Sequence, residues 1–105
     1  MEFNIIVDDY SMNLNIPDEF LASSDEAFDR LDRNMDLGVQ IGRLWVEHPN
    51  SHQRCLVAAD KLLTALETHN ENLALLSVGY ILSRIPGVSR VKIDNSGEMQ
   101  GTVFE

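Results

Sequence analysis

The sequence predicts an α+β fold: N-terminal and C-terminal β-hairpins forming a small antiparallel sheet, with about three helices between them packed on one face. Three observations carry this expectation. Phe3, Ile5 and Val7 alternate with Glu2, Asn4 and Ile6, and Met12, Leu14 and Ile16 alternate with Ser11, Asn13 and Asn15. The middle of the chain carries apolar residues at helical spacing, with capping residues and proline stops around them. Near the C-terminus, Val91 and Ile93, then Met99 and Val103, flank the turn sequence Asp94-Asn95-Ser96-Gly97. No internal repeat and no Pro/Gly/Ser-rich linker divides the 105 residues, so 1–105 reads as one domain.

Taken in order, residues 3–16 read as two short strands around the polar break Asp8-Asp9-Tyr10, because period-two patterning sends alternate side chains to one face. Pro17-Asp18-Glu19 suits a helical first turn, with φ preset by proline and acids near the positive end of the dipole. The first long helix is expected from about Ser24, with Ser23 or Ser24 as cap and Asp25 and Glu26 behind it. Phe28, Leu31, Met35, Val39 and Val46 fall on one side of it, and Asp25, Asp29, Asp32 and Asp36 form a stripe on the opposite flank. Glu26 with Arg30 and Asp29 with Arg33 have i,i+4 spacing for ion pairs. Leu37, Val39 and Ile41 also alternate as a strand would, and Gly38 and Gly42 each weaken a helix by about 1 kcal/mol. The helical stripe carries the expectation, and the helix is drawn to Pro49.

The second helix opens with a capping box, Asn50 as cap and Gln53 at the third position, and presents Cys55, Ala59, Leu62, Leu63 and Leu66 on a broad apolar face. The third runs from about Glu71 to Ile85 and is apolar nearly all round, which requires burial on all sides. Pro86-Gly87 stops it. In the C-terminal hairpin a three-residue loop with Gly97 in the left-handed conformation sets Ile93 opposite Met99, Val91 opposite Gly101 and Ser89 opposite Val103. Gly101 then leaves a hollow on the apolar face.

Charge excludes several functions. Lys plus Arg is 8 and Asp plus Glu is 17, a net charge of −9. Residues 1–36 hold ten acids and two bases, and residues 37–105 hold seven and six. This argues against direct contact with nucleic-acid backbone or an anionic membrane surface, and leaves a basic partner as the natural complement. The longest nearly uncharged run, Asn72–Ser83, is too short to span a bilayer. The N-terminal residues do not have the pattern of a secretory signal, and the single cysteine, Cys55, suits a reducing compartment, so a cytoplasmic location is expected.

Three groups of residues are candidates for function. Glu47, His48, His52 and Cys55 collect a carboxylate, two imidazoles and a thiol within nine residues, the donor types that zinc or iron takes, although their spacing matches no standard ligand pattern. The plainer account is a helix start, a loop histidine and a core cysteine. The stripe Asp25, Asp29, Asp32, Asp36 is either a solvated face or a dock for a basic partner. Its ligands point outward from a rigid cylinder and cannot wrap an ion. The third is an apolar ridge, Leu37, Ile41 and Leu44, on the far side of the first helix from Phe28, with Trp45 beside it. Tryptophan is enriched at interfaces. Tyr10, Tyr80 and Phe104 read as packing residues, and Arg84, Arg90 and Lys92 as the one tight basic group. No Gly-x-Gly-x-x-Gly, P-loop or Gly-x-Ser-x-Gly motif occurs. The expectation is therefore a small acidic non-enzymatic protein that binds a protein partner or itself, as a dimer. A metal-dependent enzyme or metal sensor stands second, and an acidic mimic of nucleic acid third.

Overall fold

A computed structural model describes residues 1–96 and 98–105. Strand β1 (Glu2–Val7) pairs antiparallel with β2 (Tyr10–Asn15). A short helix α1 (Asp18–Ser23) leads into α2 (Asp25–Met35). Strands β3 (Val39–Ile41) and β4 (Leu44–Val46) form a separate two-stranded sheet. Helices α3 (Ser51–Glu67) and α4 (Glu71–Arg84) follow, then β5 (Arg90–Ile93), a 3₁₀ turn (Met99–Gly101) and β6 (Val103–Phe104). The main sheet has the order β2-β1-β5-β6. The fold is α+β, with strands at both ends of the chain and helices between.

Three details depart from the sequence expectation. The sheet is mixed, because β1 and β5 run parallel, Asn4 beside Arg90 through Val7 beside Ile93. The helical connection returns the chain to the end of the sheet where β1 begins, so β5 enters in the same direction. Second, the first long helix ends at Met35, and residues 39–46 are a hairpin rather than helix. Gly38 has φ +148° and Gly42 has φ +58°, values that L side chains rarely adopt and a helix cannot use. Gly42-Arg43 forms the turn between the paired Ile41 and Leu44. The alternation won because Val39 and Ile41 bury against α3 while Gln40 points to water.

Third, the C-terminal strands pair Val91 with Phe104 and Lys92 with Val103, not Ile93 with Met99. Asp94 makes its own local turn instead. Its carboxylate accepts the Ser96 N–H at 2.8 Å, and its N–H donates to Thr102 Oγ1 at 3.1 Å. Gly101 therefore sits in the 3₁₀ turn against the Asp94 carboxylate, where a Cβ would collide, and leaves no hollow opposite Val91. The left-handed conformation expected at Gly97 lies outside the described residues.

The core lies between the main sheet and the helices. Phe3, Ile5 and Val91 are fully buried, as are Phe28 on α2, Leu62 on α3 and Val78, Tyr80 and Ile81 on α4. The apolar-all-round α4 is thus the central helix, packed on α2 and α3. The capping box of α3 forms as expected: Asn50 Oδ1 accepts the Gln53 N–H at 2.8 Å and Gln53 Oε1 accepts the Asn50 N–H at 2.9 Å.

Candidate functional site

The apolar ridge Leu37, Ile41, Leu44 and Trp45 is redistributed by the hairpin. Ile41 turns inward and is 2% exposed, joining the core. Leu37 at 84%, Leu44 at 61% and Trp45 at 61% stay in water. Trp45 is nevertheless held in place. A Cβ at Gly38 would stand 2.5 Å from the Trp45 ring, so the indole lies directly on the Gly38 backbone. At the hairpin turn, the Gly42 N–H points to the Met99 sulfur at 3.3 Å, which ties the hairpin to the 3₁₀ turn beside β6. The result is an exposed aromatic ring on a braced support.

Three of the four stripe aspartates, Asp29, Asp32 and Asp36, pair with arginines of the helical layer, and Asp32 alone among them is largely covered. Asp32 faces α3 and α4. Its Oδ2 accepts from Arg84 Nε at 3.0 Å and Nη2 at 2.7 Å. Its Oδ1 accepts from Tyr80 Oη and from Arg54 Nη1 at 3.2 Å. Arg54 also reaches Asp36 Oδ1 at 2.9 Å, the Asp32 carbonyl at 3.0 Å and the Pro49 carbonyl at 2.9 Å, while Arg84 reaches Asp29 at 3.3 Å. Asp25 stays on the exposed first turn of α2. The expected Glu26–Arg30 pair forms at 3.8 Å, but Asp29 pairs with Arg84 rather than with Arg33.

Burial alone would raise the Asp32 pKa. The hydrogen bonds from Tyr80, Arg84 and Arg54 outweigh it and hold the carboxyl below its ordinary 3.8. Burial and the neighbouring Asp32 carboxylate push the Tyr80 phenol upward. This cluster clamps the end of α2 to α3 and α4.

The residues proposed for metal are dispersed. Cys55 is fully buried in the core, and burial, with the Asp32 charge, pushes its thiol up to about 12. His52 is exposed and sits edge-on to Phe104, with ring centroids 5.8 Å apart. Glu47 and His48 lie exposed in the connection before α3, where His48 has φ +50°. Among the described residues, no three His, Cys, Asp or Glu side chains come together to hold a metal ion. The basic group is likewise divided: Arg84 joins Asp32, whereas Arg90 and Lys92 lie 3.6 and 3.7 Å from Glu105.

A second surface was not foreseen. Phe3 and Ile5 on β1 oppose Leu14 and Met12 on β2, so all four share the sheet face turned toward the helices. The helical layer covers β1 and stops short of β2. Met12 is 45% exposed and Tyr10, expected to pack, is 80% exposed. Between β2 and the α3–α4 connection runs an open cleft of about 820 Å³. Tyr10, Met12 and Leu14 line one wall, and Leu63, Leu66 and Ala74 the other. His69, at φ +55°, closes α3 beside this cleft: the Asn70 N–H returns to the Ala65 carbonyl at 2.8 Å and Asn70 then caps α4. The sequence signal is the unbroken alternation of Tyr10, Met12 and Leu14 with polar residues, a pattern that marks a strand face without saying what covers it.

No family model, curated protein or solved structure matches the chain. No helix among the described residues is long and apolar enough to cross a membrane.

Proposed function

We propose that this protein works by binding rather than by catalysis, and that its β3–β4 hairpin is the contact through which two copies associate. The observation that carries this is Trp45, exposed yet seated on Gly38. A rigid aromatic anchor loses little entropy when a partner covers it, which is the property of interface hot spots. The hairpin also suits self-contact electrostatically. Residues 37–46 contain one charged side chain, Arg43, in a chain of net charge −9. Two copies meeting through residues 37–46 would bring no carboxylate of that segment into the contact. The buried, protonated Cys55 and the arginine-locked Asp32 support a binding role, because neither is presented as a nucleophile or base.

The test is native mass spectrometry with sedimentation, at concentrations up to about 100 μM. The expected result is a dimer that Trp45→Ala and Leu44→Asp each convert to monomer with unchanged circular dichroism. Trp45 is the single tryptophan, so its emission should shift to the blue as the dimer forms. A wild-type monomer throughout that range, or a dimer indifferent to both substitutions, overturns the proposal.

A further inference from the structure

We infer that the cleft under β2 is a docking site for an extended, basic segment of another protein, which adds beside β2 as a fifth strand. Three observations converge on this occupant, and none involves the hairpin.

The first is the edge itself. β2 ends the sheet order, and among the described residues no strand lies on its outer side. An open edge is a template for pairing, which soluble proteins normally blunt with lysine, proline, a bulge or a very short strand. The opposite edge, β6, follows that practice and is two residues long. β2 does not. Tyr-Ser-Met-Asn-Leu-Asn is six residues, with no charge and no proline, in unbroken register with β1.

The second is the wall. An added strand would place alternate side chains toward the helices, in line with Met12 and Leu14. It would find Leu63 and Leu66 across the cleft, so backbone pairing and apolar burial would occur together.

The third is charge. Glu67 and Glu71 stand in the lining, Asp8 and Asp9 form the turn that precedes Tyr10, and among the described residues no Lys or Arg lines the cleft. A second copy would bring the same acids to both sides and be repelled. A segment alternating apolar residues with Lys or Arg matches both the wall and the rim.

The test uses the whole protein and two synthetic heptapeptides, one alternating lysine with valine and the other glutamate with valine. Binding is followed by fluorescence anisotropy, and hydrogen exchange of the amides is read by NMR. The lysine peptide should bind saturably and slow exchange in β2 about tenfold or more. Met12→Lys and the pair Glu67→Lys/Glu71→Lys should each weaken binding about tenfold or more. These positions are solvent-facing, so the variants fold. Trp45→Ala should leave the affinity unchanged, which separates this site from the hairpin. The inference is overturned by absence of binding at millimolar peptide, by equal binding of the glutamate peptide, or by protection that falls outside β2. Binding indifferent to Met12→Lys also overturns it.

Discussion

At the scale of single residues, Asp32 shows how a position can be legible in the sequence while its partners are not. Its place in an acidic stripe was legible, because helical spacing is a local property of the chain. Its partners were not, because Arg54, Tyr80 and Arg84 lie 22, 48 and 52 residues away and converge only when α2, α3 and α4 pack. The consequence is a stability term with a defined pH sense. The folded carboxyl titrates below the ordinary 3.8. Its contribution is therefore whole above that value and is lost as the pH falls through the lower, folded value. Asp32→Asn should cost about 1–3 kcal/mol at neutral pH, because it leaves two half-buried guanidinium groups short of a counter-charge. The gap between wild type and variant should narrow in acid, as urea midpoints measured at neutral pH and at about pH 3 would show. A gap that stays constant would mean that Asp32 is not the titrating group. Trp45 is a second case: the sequence offers it as an exposed aromatic, and Gly38 shows why the ring can stay in water and yet be held in place.

At the scale of elements, the glycines discriminate most clearly. Gly38 and Gly42 weighed against a helix over residues 37–46 by about 2 kcal/mol together. A long apolar stripe was set against that cost and lost to the turn geometry that both glycines serve. Gly79 carries a different message, in the middle of α4. Propensity alone would favour alanine there by about 1 kcal/mol. A Cβ at Gly79, however, would lie 2.8 Å from Phe28 Cζ and 3.3 Å from Phe20 Cε1, and the Phe28 ring is sealed in the core. Packing should win, so Gly79→Ala is expected to destabilise by about 1–2 kcal/mol in guanidinium denaturation. A gain in stability would mean that α2 can move away from α4 without cost. The elements that did form as expected, α3 with its capping box and α4 with its Pro86-Gly87 stop, are those whose start and end signals are local.

At the scale of the whole molecule, the width of the helical layer divides one sheet face into a buried half and an exposed half. Ile5 and Met12 are cross-strand partners on that face, 1% and 45% exposed. Ile5→Ala should cost about 2–5 kcal/mol, the usual penalty for a cavity in a core. Met12→Ala should cost under about 1 kcal/mol in the free protein, since water already reaches the side chain. Parallel denaturation curves with unequal midpoints would establish the contrast. Comparable losses would show that the cleft closes over β2 in solution. The charge distribution also acts at this scale. The hairpin has a nearly uncharged face suited to a second copy, and the cleft has an acidic rim suited to a basic chain.

The sequence by itself determined the α+β class, the strands at both chain ends, the two well-capped helices and the acidic balance, because periodicity, caps and charge are properties of neighbouring residues. Only the tertiary structure decided that β1 and β5 run parallel, that residues 39–46 form a hairpin, that Asp29, Asp32 and Asp36 of the stripe pair with arginines of α3 and α4, and that β2 overhangs the helices. Each of these turns on contacts between residues far apart in the chain. An alternating strand carries the same pattern whether a helix covers it or a partner does.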